Sequence, residues 1–315
     1  MTGMRQAAGE YLALRGALGY RLAQDGQLLR DFAEHLDAGG ARYLTAEAAV
    51  AWATAPAGVS PYWHWYRLHP IRMFSRYLHT LDHRHELIPQ GLLPGQYTRA
   101  APYIFTSGEV IALMRAAGRL GRRLPAATYQ ALLGMLAVTG MRPGEAYALD
   151  RGDVDLNGGT VTITSSKNYT CRELPLHATT VAALAGYARL RDQLCPQPAG
   201  PSFLVSVRGT RLNSPVAGGV FAGLARAAGL RARSPRTRPV LRSFRHTFAV
   251  NALTGWYQAG ADVDARMPVL SSWLGHAGPR STYWYISADA GLLALAAGRM
   301  ASVRGQHPAG SPAEP

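Results

Sequence analysis

The stretch IPQGLLPGQYTRAAPY, residues 88–103, contains three prolines and two glycines. Proline fixes φ and removes a backbone donor, and glycine costs the most entropy to order, so no helix or central strand runs through such a segment. It reads as an extended linker. It also divides a chain of 315 residues, longer than one ordinary domain and long enough for two cores. The expected boundaries are a helical domain over residues 1–90, a linker over 91–104, a second domain over 105–300 and a disordered tail over 301–315.

The first part is helical by periodicity. GEYLALRGALGYRLAQDGQLLRDFAEHL carries Leu12, Leu14, Leu18, Leu22, Leu28, Leu29, Phe32 and Leu36, with three- and four-residue steps in Leu14–Leu18–Leu22 and Leu29–Phe32–Leu36, a helical pattern. Thr45 before AEAAVAWAT is a capping residue, with Glu47 in the first turn. SPYWHWYRLHPIRMFSRYLHTL is aromatic and basic and predicts one or two helices, depending on whether Pro70 kinks or restarts the run.

Beyond the linker, Thr106 or Ser107 caps a helix over TSGEVIALMRAAGRL, with Glu109 in its first turn. The apolar ATYQALLGMLAVTG is a helix that stops at Gly140. TVTITSSK and TCRELPL flank a polar turn and read as a β-hairpin. TTVAALAGYARLRDQL and PVAGGVFAGLARAAGL are helical, with a strand-like SFLVS between them. RGQHPAGSPAEP has no apolar periodicity, hence the expectation of disorder. The fold class is therefore mainly α with a small hairpin. No apolar run approaches the roughly 18 residues of a membrane span, and no export signal is read at the N-terminus. Cys171 and Cys195 are too few for a disulfide framework, so a reducing cytoplasm is expected.

Charge narrows the partner. The chain carries 33 Lys and Arg against 19 Asp and Glu, a net charge of +14. Residues 1–100 hold 10 Arg against 8 acids, so most of the excess lies after the linker. A basic excess concentrated in one domain points to a polyanion, with nucleic acid the leading candidate.

Four separated stretches carry candidate chemistry. In TGMRPGEAYAL, Gly140 ends one helix and Pro143 opens another, placing Arg142 at a helix start that favours an anion. Its planar guanidinium forks onto two phosphate oxygens. In TSSKNYTCRELPL, Lys167 is the only lysine of the chain. A lysine can release a proton during turnover, whereas an arginine hardly can. In VLRSFRHTFAVNAL, Arg242 and Arg245 are three apart and share a helical face, with Phe244, Phe248 and Val250 as apolar anchors. In WLGHAGPRSTYWYIS, Gly275 or Gly278 breaks the chain. Ser281 or Thr282 then caps a short helix bearing Tyr283 and Tyr285. A tyrosine becomes a nucleophile only where cations or a base draw off its proton.

Taken in order, these motifs resemble the tyrosine recombinase, or phage integrase, family over roughly residues 105–295. Arg142 is similar to its first catalytic arginine, Lys167 to its hairpin lysine and Arg245 to its second arginine. His276 in LGH is similar to its late histidine, and Tyr285 to its nucleophile. The family usually has histidine where this chain has Arg242, and an arginine holds a phosphate but accepts a proton poorly.

The resemblance implies a helical core-binding domain before an α+β catalytic domain. It implies site-specific cutting and rejoining of double-stranded DNA through a 3′-phosphotyrosine, with no cofactor, metal or ATP. Arg142, Arg242 and Arg245 would bind the phosphate, and Lys167 would protonate the leaving 5′-oxygen. His276 would hydrogen-bond the phosphate or help deprotonate Tyr285. A tetramer on DNA is implied, and an accessory or partner recombinase is left open. Two alternatives also stay open: a DNA-binding accessory recombinase with weak or lost catalysis, and a type IB topoisomerase-like enzyme. The apolar GLLALAAGRMA after Tyr285 packs either at home or on a neighbouring protomer.

Overall fold

The computed structural model describes residues 3–20, 22–95, 101–164, 171–276, 278 and 280–305. The chain forms two compact units, Met1–Arg99 and Ala100–Pro315.

The first unit holds four helices, α1 (Met4–Ala17), α2 (Ala23–Ala38), α3 (Ala46–Thr54) and α4 (Pro61–Leu81). Leu29, Phe32 and Leu36 of α2 face Leu68, Ile71, Phe74 and Leu78 of α4 in one core, completed by Ala49 and Trp52 of α3. The spacing becomes a buried stripe over Leu28, Leu29, Phe32 and Leu36, each contributing about 1.5–3 kcal/mol, whereas Leu14 and Leu18 are exposed. Thr45 accepts from the Ala48 N–H as expected of a cap, and Ser60 accepts likewise from Trp63 ahead of Pro61. Pro70 neither restarts nor ends α4, which runs through it. An interior proline costs about 3 kcal/mol, and here it sits among fully buried Leu68, Ile71 and Phe74.

The second unit contains α5 (Ser107–Gly118), α6 (Arg123–Thr139), α7 (Pro143–Ala148), β1 (Val154–Asp155), β2 (Thr160–Ile163) and β3 (Arg172–Pro175). It continues with α8 (Ala178–Leu194), α9 (Ser214–Ala227), α10 (Ser243–Gln258), α11 (Val263–Leu274), α12 (Arg280–Ala288) and α13 (Ala290–Gly305). The strands form one antiparallel sheet in the order β1-β2-β3, with Val161 opposite Leu174 and Ile163 opposite Arg172. Val161, Ile163 and Leu174 are buried, which sets the inner face of the hairpin. A central core gathers around Leu132, Leu133, Met135 and Leu136 of α6. A second cluster joins Leu253, Met267, Leu270, Leu274, Tyr285 and Leu292 from α10 to α13. No described helix is long and apolar enough to cross a membrane.

Several local expectations change. SFLVS forms no regular strand: Ser202 and Val205 make isolated bridges to Asp150 and Arg211, while Phe203, Leu204 and Val205 are buried. Its β-type composition serves core packing rather than a ladder. Residue 103, expected in the linker, belongs to the core of the second unit with its neighbour Phe105, whose N–H donates to Thr247 Oγ1 at 2.8 Å. Helix α12 already begins at Arg280, so neither Ser281 nor Thr282 caps it. Helix α13 extends to Gly305, past the expected start of the tail; residues 306–315 lie outside the described residues. Of the run after Tyr285, Leu292 is buried in the cluster with Leu253 and Tyr285, while Leu293 is exposed.

Candidate active site

Two helix ends build the site. Helix α6 stops at Gly140 with φ +61°, and α11 stops at Gly275 with φ +64°. Both turns need glycine. A Cβ at Gly140 would lie 2.6 Å from the Phe248 ring, and one at Gly275 would lie 2.6 Å from the Arg172 guanidinium. The last carbonyls of a helix lack intrahelical partners and carry the negative end of its dipole. Here guanidiniums fill them.

Arg245, on the first turns of α10, is 4% exposed. Its Nη1 donates to the Gly140 carbonyl at 3.1 Å and its Nη2 to the Leu274 carbonyl at 2.6 Å. Burial, and next the charge of Arg142, lowers its pKa to about 10, against the opposing influence of Tyr285 and Glu145. It stays protonated at neutral pH.

Arg142 stands between α6 and α7. Its Nη1 donates to Glu145 Oε1 at 2.7 Å and its Nη2 to the Gly275 carbonyl at 3.0 Å. Two segments 133 residues apart are thereby tied together at one side chain.

Glu145 is the acid at the centre. It is 4% exposed and accepts from the Arg142 N–H (2.8 Å) and Arg142 Nη1. It also accepts from Arg172 Nη2 (2.7 Å) and Arg172 Nη1 (3.3 Å). Burial alone would raise its pKa, but the hydrogen bonds and charges of Arg172 and Arg142 outweigh that and hold it below the ordinary carboxyl range. Arg172, at the start of β3, also donates through Nε to the Trp273 carbonyl at 2.8 Å.

His276 follows the Gly275 turn. Its Nδ1 meets Thr282 Oγ1 at 2.7 Å, and Thr282 Oγ1 donates to Ser271 Oγ at 3.1 Å. Thr282 thereby orients the imidazole through Nδ1, with donor and acceptor set by the ring's tautomer. The His276 ring stacks on Tyr285, with centroids 6.2 Å apart and planes 19° apart. The His246 ring also lies 5.6 Å from that of Tyr285, tilted by 57°. Tyr285 itself is 3% exposed.

The two tyrosines of α12 are separated by this packing. Tyr283 is 42% exposed and donates to Asp264 Oδ1 at 3.0 Å, which raises its pKa. Tyr285 neighbours both His246 and His276 and is close enough to Arg245 to bear on its charge.

Of the six candidate residues, Arg142, Arg245, His276 and Tyr285 come together. Arg242 and Arg245, one turn apart, differ in burial. Arg242 is the residue before α10 and is exposed, while Arg245 turns into the core. Lys167 lies outside the described residues, between β2 and β3.

Sequence reasoning missed Glu145 as more than a first-turn acid, and it missed Arg172, Thr282 as a partner of His276, and His246. Only Glu145, three residues after an arginine at a helix start, left a local signal. Thr282 is six residues from His276 across the turn into α12, and the Arg172 and His246 pairings are more distant in sequence. Among the described residues, no group of three or more His, Cys, Asp or Glu side chains is placed to hold a metal ion.

Comparison with known proteins places this geometry. The phage integrase family model matches residues 104–291. The integrase/recombinase y4rB of Sinorhizobium fredii (strain NBRC 101917 / NGR234) is 37% identical over 307 residues, covering 95% of this chain and 98% of its own length. The integrase/recombinase y4rE of the same strain is 33% identical over 310 residues, covering 95% and 97%. Among solved structures, the XerH site-specific recombinase bound to palindromic difH substrate in a post-cleavage complex shares the fold, with a TM-score of 0.66 at 17% identity. That match covers 86% of this chain and 77% of the XerH chain.

Proposed function

Because this chain belongs to the phage integrase family of tyrosine-type site-specific recombinases, we propose that it cuts and rejoins duplex DNA at the site formed by Arg142, Lys167, Arg242, Arg245, His276 and Tyr285. The observation that carries this reading is the buried Arg245, which donates to the Gly140 carbonyl 105 residues away and whose charge both Arg142 and Tyr285 influence.

In the proposed reaction, Arg142 and Arg245 bind the non-bridging oxygens of one phosphodiester. Their spare N–H groups offset the charge that grows in the pentacoordinate transition state. Tyr285 Oη attacks the phosphorus, and its proton passes to a base, for which His276 Nε2 is the nearest reading. The bond from phosphorus to the 5′-oxygen breaks, and Lys167 protonates that oxygen. The products are a 3′-phosphotyrosine and a 5′-hydroxyl. Attack by another 5′-hydroxyl reverses the steps and rejoins the strand, so no external energy source is consumed. Tyr285 is buried in the DNA-free chain, and α12 must present its hydroxyl as the phosphate enters. Arg242, exposed at the start of α10, adds a cation to the DNA-facing side. Phosphate contacts make binding steeply salt-dependent. A tetramer on DNA and the aromatic, basic α4 as a DNA-contacting element complete the proposal.

The test is a target duplex nicked beside the exchange site, which traps the covalent intermediate because the short 5′ fragment diffuses away. Wild-type chain should form a protein–DNA adduct, and Tyr285→Phe should form none. An adduct in Tyr285→Phe would move the nucleophile elsewhere. No wild-type adduct on a verified target would leave a DNA-binding accessory protein, the reading that the exposed Arg242 favours.

A further inference from the structure

We propose that Arg172 is a positioning residue for strand cleavage: it neutralises Glu145, so that the charge of Arg142 is left for the scissile phosphate. The inference rests on the catalytic reading above.

Glu145 shares its carboxylate between two arginines. Each of its oxygens accepts from both Arg142 and Arg172, apart from Oε2, which takes the Arg142 backbone N–H in place of its guanidinium. A carboxylate paired with a single guanidinium forms a neutral couple with little pull on a phosphate. Two guanidiniums, those of Arg142 and Arg172, contact this one carboxylate, and Arg245 lies near enough for Glu145 to act on its charge. The cluster therefore keeps an excess of positive charge, and Arg172 is the member that cannot spend it on substrate. Its side chain is 9% exposed, and its donors go to Glu145 and the Trp273 carbonyl. Arg142, by contrast, is 28% exposed and faces the site.

Arg172 also fastens the hairpin. It opens β3, the strand that follows the segment containing Lys167, and it reaches the end of α11, where Gly275 and His276 begin. Gly275 leaves no room for a Cβ because this guanidinium fills the space. One side chain thus joins the strand after Lys167, the carboxylate behind Arg142 and the turn before His276. A buried brace with no role in charge balance would show the same contacts, so the experiment must separate the two.

The measurement is the single-turnover rate of adduct formation at saturating nicked DNA, with Tm followed in parallel. Arg172→Gln is expected to slow cleavage on the order of ten- to a hundredfold, because Glu145 then claims Arg142. Adding Glu145→Gln to the same chain should recover part of that loss, since no carboxylate remains to hold Arg142. Arg172→Lys, which keeps the charge with fewer donors, should stay within about tenfold of wild type. Wild-type rates in Arg172→Gln would overturn the proposal. So would a double variant no faster than Arg172→Gln, which would show a brace only. If Arg172→Gln does not fold, Arg172→Lys decides: a lysine variant with wild-type Tm and a rate down a hundredfold overturns it. An inactive wild type would remove the catalytic reading itself, an outcome distinct from all of these.

Discussion

Replacing Gly275 with alanine should unsettle the site more than its single added methyl suggests. Two costs are set by the structure. At φ +64° an L-residue pays about 1–2 kcal/mol for the left-handed conformation. The new Cβ would also lie 2.6 Å from Arg172 Nη1 and 2.9 Å from its Cζ, so the guanidinium must move. It is held by Glu145 and by the Trp273 carbonyl, and giving up one charge-assisted bond costs about 1.5–3 kcal/mol. Together the change should destabilise by about 2.5–5 kcal/mol. For a unit of roughly 200 residues that corresponds to a Tm lower by about 5–20 °C. The informative assay is a double-mutant cycle by thermal denaturation. In an Arg172→Gln background, whose shorter side chain can withdraw, Gly275→Ala should cost only the conformational part, about 1–2 kcal/mol. An equal loss in both backgrounds would refute the reasoning, because the clash with Arg172 would then contribute nothing.

Lys167→Arg should bind DNA as before but cleave about a hundredfold or more slowly. A substrate with a 5′-bridging sulfur, whose leaving group needs no proton, should recover much of that loss; normal cleavage of ordinary DNA by the variant would remove the general-acid role. Arg242→His should raise the adduct rate, because a histidine at the head of α10 can exchange protons where arginine cannot. A large fall would assign the arginine a phosphate contact of its own. Glu145 has a folded-state pKa below its unfolded value, so its pairing contributes fully above the ordinary carboxyl range and is lost as pH falls through the depressed value. Urea denaturation across acid pH should therefore lose stability in wild type, and Glu145→Gln should flatten that part of the curve.

Much of the fold was legible because it is written locally. The stripe of Leu29, Phe32 and Leu36, the Thr45 and Thr106 caps and the stop at Gly140 each depend on residues within a turn or two. The alternation that marks β2 is equally short in range. Where local signals compete, the sequence misled. SFLVS has strand composition, but its neighbours needed apolar volume more than a ladder partner. Ser281 and Thr282 look like caps, but the helix begins earlier and Thr282 is drawn to His276 and Ser271.

By itself, the sequence determined the two-part division, the helical class and an ordered set of motifs whose residue types suit phosphate chemistry. These follow from periodicity, capping and side-chain chemistry, which act over a few residues. Tertiary structure alone decided how those side chains are used. Arg242 and Arg245 are one turn apart, yet the start of α10 leaves the first in solvent and carries the second into the core. Tyr283 and Tyr285 share a short helix, and only its packing sends one to Asp264 and the other to the histidines and Arg245. Glu145 meets Arg172 across 27 residues, and Arg142 meets the Gly275 carbonyl across 133. Buried charges persist only where partners complete their hydrogen bonds, and which partners arrive depends on the path of the whole chain.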